Sequence, residues 1–206
     1  MAQTSDIYLL HLGKDKRLVP IMVDPLPVLP IRENIALRLI GSIMSQQLSV
    51  KVADVIYKRF LTLYGDKEPS AQQILDTPPE TLRSIGLSNA KVSYVHNVAR
   101  FTVDEKLTDK KLQKMENEDV ITYLTQIKGV GRWTVEMLLM FYLGREDVFA
   151  VDDLGIQQAM IKLYKLDKTD KKAFREKLLK ISAKWSPYRT HACRYLWAWK
   201  DMKPTA

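Results

Sequence analysis

The sequence predicts an all-α protein built from many short helices. Three observations carry this: apolar residues recur at three- and four-residue spacing along most of the chain, capping residues and glycines punctuate those runs, and no alternating strand pattern follows residue 30. The first 30 residues, with Pro20, Pro25, Pro27 and Pro30, fit one short helix followed by an extended proline-rich connector.

From Arg32 to Tyr64, Ile35, Leu39, Ile40 and Ile43, then Val52, Val55, Ile56 and Phe60, mark two helical faces, with Gly65 as the stop. The polar joint Ser45–Ser49, "SQQLS", separates them. Thr77-Pro78-Pro79-Glu80 has the pattern of a helix start: a capping hydroxyl, prolines in the first turn and an acid that suits the dipole. The short helix that follows should end at Gly86. Ser88 is the expected cap of a helix carrying Val92, Val95, Val98 and Ala99, and Asn117 of another carrying Val120, Ile121, Leu124 and Ile127. Asp170 should cap "KKAFREKLLKIS", and Pro187 should open "PYRTHACRYLWAWK". The whole chain, residues 1–206, is expected to form one domain of two helical lobes.

Thirty-two Lys and Arg against 24 Asp and Glu give a formal charge of +8, which favours a polyanionic partner without requiring one. The single cysteine, Cys193, excludes an intramolecular disulfide and any zinc or iron–sulfur site built on several thiolates of one chain. His11, His96 and His191 are scattered, without a metal-binding spacing. The N-terminal apolar run is too short for a signal peptide and no later run approaches a membrane span, so the expected location is intracellular: cytoplasm and nucleoid, or nucleus.

"LTQIKGVGRWTVEMLL" (Leu124–Leu139) joins two apolar helical runs through Lys-Gly-Val-Gly. The two glycines allow positive φ and close approach of a second backbone, so the chain can reverse within four residues. The amides of Gly129, Gly131 and Arg132 would then face outward at a helix N-terminus, with the charges of Lys128 and Arg132 beside them. Such a constellation binds phosphate without reading base sequence. A plain αα-hairpin is the competing reading of the glycines taken alone.

The stretch resembles the helix-hairpin-helix element, here about residues 117–143. With its Trp-Thr continuation, "VFAVDDLGIQQAM" (Val148–Met160), "SIMSQQLSVKVA" and "WSPYRTHACRYLWAW", it resembles the alkylpurine, 3-methyladenine type, DNA glycosylases of the helix-hairpin-helix superfamily. The resemblance runs from about Ile31 to Trp199. It implies a two-lobed helical glycosylase without the N-terminal β-rich domain of some bacterial relatives, acting on alkylated purines in duplex DNA within base excision repair. A monomer is the working expectation.

Breaking a purine–sugar bond develops oxocarbenium character at the sugar, which a fixed carboxylate stabilises. Neighbouring residues point roughly 100° apart on a helix, so Asp152 and Asp153 cannot both serve one site: one should cap and one should act. The family pattern places the catalytic role on Asp153 and leaves Asp152 to the turn, with Asp152 as the alternative if the register slips by one. Relatives that also cut the backbone carry a lysine nucleophile after the hairpin, where this chain has Trp133; the resemblance therefore implies a monofunctional enzyme that uses water.

By the same resemblance, Trp133 and Trp197 line the pocket for the flipped base, in the cleft between lobes with Asp153. Their indole faces favour a cationic alkylpurine. Gln47, with Leu48 beside it, is the wedge that fills the vacated stack, and a polar helix-joining turn is the plainer alternative. Lys128, Gly129, Gly131, Arg132 and Thr134 at the hairpin, with Ser88 and Lys91 at a second helix–turn–helix, hold the DNA backbone. No cofactor is implied beyond a monovalent cation, Na+ or K+, on the hairpin carbonyls around Ile127 and Val130. The alternatives are a glycosylase for another lesion, a non-catalytic DNA-structure-binding module and, ranked last, a bifunctional lyase using another lysine.

Overall fold

The computed structural model describes residues 4–23, 25–28 and 33–202. Pro30 of the connector, Ile31 and the expected helix start at Arg32 lie outside them. The described residues form α1 (Thr4–Leu12), a 3₁₀ turn (Val19–Ile21), α2 (Ile35–Ser45), α3 (Val50–Thr62), α4 (Ala71–Asp76), α5 (Pro79–Ser84), α6 (Asn89–Asp104) and α7 (Asp109–Gln113). Then follow α8 (Asn117–Leu124), α9 (Arg132–Phe141), α10 (Leu154–Tyr164), α11 (Lys171–Ser182), a 3₁₀ turn (Ala183–Trp185) and α12 (Arg189–Asp201). No strand occurs among the described residues, and no helix is long and apolar enough to cross a membrane. The chain divides into two compact units, residues 31–143 and residues 1–30 with 144–206.

In the unit of residues 31–143, α2 is the central helix and packs against α3, α6 and α9, while α8 packs against α9. Leu37, Leu39, Ile40 and Ile43 of α2, Phe60, Val95, Val98, Val135 and Leu139 are buried at helical spacing, the arrangement that apolar periodicity predicts. The start of α2 is over-determined. The Asn34 side chain accepts from Leu37 N, and both oxygens of Asp109, at the first position of α7, accept the Asn34 and Ile35 amides at 2.8 and 3.0 Å.

Two expected caps are corrected here. Thr77 does not cap α5: its hydroxyl donates to Gln73 O at 2.8 Å and shares a bond with Tyr64 OH, closing α4, and Pro78 takes the cap position with Pro79 in the first turn. Helix α4 itself is absent from the periodicity reading, although Ser70 and Gln73 form a capping box. Asn117 is the first residue of α8 rather than its cap; Glu116 caps through its backbone, and Glu118 and Asp119 complement the dipole. Ser88 caps α6 as expected, accepting from Lys91 N.

In the unit of residues 1–30 and 144–206, α10 packs on α12, and Trp185 is fully buried against Phe149 and Tyr164. The Trp185 indole N–H donates to the Asp15 carboxylate at 3.0 Å and the Tyr164 hydroxyl donates to the same oxygen at 2.7 Å. Asp170 caps α11 through Lys172 N and Ala173 N. Helix α12 begins at Arg189, two residues later than Pro187 suggests, because its first amides are held from outside: Arg189 N by Asp147 and Thr190 N by Glu146 O. The same contacts, with Thr190 Oγ1 bridging Arg145 O and Val148 N, pin the buried run Val148–Val151 that leads into α10.

Candidate active site

Asp153 occupies the N-cap of α10, with extended backbone angles of φ −70° and ψ 124°. Its Oδ1 accepts from Ile156 N at 2.8 Å and from the Trp197 indole N–H at 2.9 Å. The expected division of labour, one aspartate capping and the other acting, is therefore corrected: Asp153 itself caps, at the positive end of the α10 dipole. Asp152 turns away to an exposed ion pair with Arg175. A short capping carboxylate reaches the third amide of its helix by geometry alone, so capping and a fixed orientation come from one contact.

Trp197 of α12 meets Asp153 through its indole N–H. The pair packs tightly over Gly155 in the first turn of α10. A Cβ there would stand 3.2 Å from Trp197 Cδ1 and 3.1 Å from Asp153 Oδ1, closer than side chains ordinarily pack. Sequence reasoning passed over Gly155, although a glycine inside a helical first turn signals close approach. Trp199 is half-buried beneath the Lys162 ammonium, 4.8 Å from its ring centre.

In the other unit, Trp133 at the second position of the α9 segment is 43% exposed and lines a depression of about 450 Å³. Tyr57, Tyr142, Phe141, Arg38, Asp54 and Ser42 share the lining, a mixed aromatic and polar surface large enough for a base. Tyr57, not singled out from sequence, has its hydroxyl pushed above the ordinary tyrosine value chiefly by burial. It remains a neutral donor and acceptor.

The hairpin of α8 and α9 forms as expected, but its two glycines differ. Gly129 has φ +105°, and a Cβ on it would lie 2.3 Å from Cγ of Tyr94 in α6, so no other residue fits. Gly131 has φ −94° and is the N-cap of α9, with nothing within 4 Å of the place a Cβ would take. The positive φ expected at both glycines is confined to Gly129; at Gly131 the open space itself is the feature. No backbone acceptor meets the Gly129, Gly131 or Arg132 amide among the described residues.

The charges expected to hold a DNA strand are redistributed. Arg132 is committed to Glu118 through both terminal nitrogens and to the buried Glu136 through Nε at 2.9 Å. Thr134 is only 4% exposed and lines the same depression as Trp133. Lys91 points its ammonium at Met44 O and Gln46 O, 2.8 and 2.7 Å away. Lys128 is in no ion pair among the described residues; its carbonyl accepts from Asn97 Nδ2 at 3.0 Å. Gln47 and Leu48 are exposed on the joint between α2 and α3.

Among the described residues no group of three or more His, Cys, Asp or Glu could hold a metal ion. The Ile127 carbonyl accepts the Val130 amide at 2.9 Å, which leaves it one lone pair for a cation.

Comparison with known proteins accords with this arrangement. A sequence model of the HhH-GPD superfamily base excision DNA repair proteins matches residues 40–184. The chain is 39% identical over 161 residues to DNA-3-methyladenine glycosylase 1 of Schizosaccharomyces pombe, covering 77% of this chain and 69% of that protein. Among solved structures, the 3-methyladenine DNA glycosylase Mag1 of that yeast in complex with abasic DNA superimposes with a TM-score of 0.82 at 34% identity. That match covers 97% of this chain and 99% of that one. A DNA-3-methyladenine glycosidase from Bacillus halodurans gives 0.84 at 35% identity over 98% and 92%. With its hairpin, its helix-capping Asp153 and a family match over most of its length, this chain belongs to the HhH-GPD superfamily of base excision DNA repair proteins.

Proposed function

We propose that the protein is a monofunctional DNA glycosylase that excises alkylated purines, of the 3-methyladenine and 7-methylguanine type, from duplex DNA and leaves an abasic site. The observation that carries this reading is Asp153, set on a helix N-terminus and oriented by the Trp197 N–H and the Ile156 amide. A carboxylate so fixed stabilises positive charge growing on the sugar without having to reorganise during the reaction. Relatives named as 3-methyladenine glycosylases or glycosidases, in fission yeast and Bacillus, support the substrate class.

The chemistry balances without an added group. An N-alkylated purine is already cationic, so when the glycosidic bond breaks it takes the bonding electrons and departs neutral, with little need of an acid. Water adds to the sugar carbon and loses a proton to solvent. Trp133 stands where a lysine nucleophile would be needed for strand cleavage. The depression beside it would receive the extruded base, whose positive charge suits an indole face.

Gln47, with Leu48 beside it, would fill the space left in the duplex. The outward amides of Gly129, Gly131 and Arg132, with Lys128 and the exposed Ser88, would hold the phosphates. A monovalent cation would sit on the Ile127 and Val130 carbonyls and strengthen the hairpin's pull on phosphate; no step of the hydrolysis passes through it. The protein would act as a monomer, in the compartment that holds the genome. Duplex DNA treated with a methylating agent tests the reading: incubation should release methylated purines and leave alkali-labile abasic sites with the strand uncut. Release of none, or strand cleavage trapped by borohydride, would overturn it.

A further inference from the structure

The joint between α2 and α3 is a type II β-turn. Gln46 has φ −50° and ψ 132°, Gln47 has φ +59°, and Leu48 N donates to Ser45 O at 3.1 Å. The third position of such a turn selects glycine or asparagine, because a side chain there suffers the steric cost of the left-handed region. A glutamine at that position would ordinarily favour the type I turn, which differs chiefly by a flip of the central peptide between Gln46 and Gln47. Something must hold that peptide.

Lys91 does so. Its ammonium accepts no bond but donates two, to the carbonyl of Gln46, which belongs to the central peptide, and to the carbonyl of Met44 in the last turn of α2. The helix end concentrates negative charge at those oxygens, so a cation there is favoured. Burial pushes the Lys91 ammonium below its ordinary value, the cost of seating it between two helices. Three residues along α6, Tyr94 lies beneath Gly129, and three further Asn97 donates to Lys128 O. At this spacing the three side chains share one helix face.

We infer that this face of α6 is a positioning strut: Lys91 locks the turn that presents Gln47, while Tyr94 and Asn97 set the hairpin that grips phosphate. One rigid helix thus fixes the wedge relative to the backbone clamp. Lys91 is a positioning residue that acts through Gln47, and the functional half of the inference rests on the proposed glycosylase reading.

Lys91→Met keeps the length of the side chain and removes the donor. Backbone NMR shifts of Gln47 should leave the left-handed range while the helices remain folded. Excision from duplex DNA should fall roughly ten-fold or more, as small misplacements of a positioned group do. Excision from single-stranded DNA, which has no stack to fill, should stay within about two-fold, and Lys91→Arg should restore part of the duplex activity. Unchanged Gln47 shifts in Lys91→Met would overturn the lock. A loss equal on duplex and single strands would overturn the positioning role in favour of a direct phosphate contact or a general loss of structure. A flipped turn with duplex excision intact would overturn the link to the wedge while leaving base excision standing. Absence of excision by the wild-type protein on either substrate would instead overturn the glycosylase reading.

Discussion

Asp153 and Trp197 are joined by one hydrogen bond across the first turn of α10. The indole N–H and the Ile156 amide converge on a single carboxylate oxygen, so the side chain has one orientation and the first turn of α10 is capped by the same contact. Trp197→Phe keeps an aromatic ring and removes the donor. A hydrogen bond to a charged group contributes about 1.5–3 kcal/mol, so single-turnover excision should fall roughly ten-fold or more while duplex affinity holds. Affinity falling in step with rate would show that Trp197 serves binding alone. At this scale the sequence singles out Asp153, Trp133 and Trp197 because each sits within a contiguous motif. Lys91, Tyr94 and Asn97 were not legible in their roles: their partners lie 31 to 47 residues away in sequence, or are brought near only by packing, and carbonyl acceptors leave no trace in residue identity. Thr77 illustrates the reverse error, since a hydroxyl between two helices can serve either and the choice fell to Tyr64 and Gln73.

The helix-hairpin-helix is an element whose shape is set from beneath as well as from its own glycines. Gly129 must be glycine twice over, by its φ of +105° and by the Tyr94 ring occupying the place of a Cβ. Gly129→Ala combines a left-handed penalty with overpacking and should destabilise the protein by about 3 kcal/mol, read as a fall in unfolding midpoint. Gly131→Ala meets open space and an ordinary φ and loses only the N-cap preference of glycine over alanine, so it should cost about 1 kcal/mol or less, whatever it does to DNA binding. Equal losses from the two would contradict this account of the turn. The long apolar runs, α2, α3, α6 and α9, were readable from spacing because each buries one continuous face. The five- and six-residue helices α4 and α7 were not, because so few residues define no face, and only their capping hydroxyls at Ser70 and Thr108 mark them.

At the scale of the molecule, the unit of residues 1–30 and 144–206 is tied together by carboxylates. Burial pushes Asp15 up, yet donation from Trp185, Tyr164 and the Arg17 and Leu18 amides outweighs it and leaves Asp15 below the ordinary value of 3.8. Asp147 is likewise raised by burial and lowered further by Arg189 and Ser186, with the same net direction. A carboxylate depressed in the folded state contributes stability that is present above its unfolded value and is lost as pH falls through the folded one. Stability should therefore hold above about pH 5 and decline as pH falls below about 4, and Asp15→Asn or Asp147→Asn should flatten that decline. An unchanged acid slope in both variants would contradict the assignment. The positive charge of +8, by contrast, indicated only a polyanionic partner; the hairpin and the family match carried the rest. The most direct measurement is release of methylated purines from alkylated duplex DNA by the wild-type protein and by Asp153→Asn. Asparagine caps a helix about as well as aspartate and should preserve the fold. Unfolding and DNA binding should be normal in Asp153→Asn, with excision reduced on the order of a hundred-fold or more. Excision surviving in that variant would contradict the assignment and move the catalytic role to another carboxylate, Asp152 first.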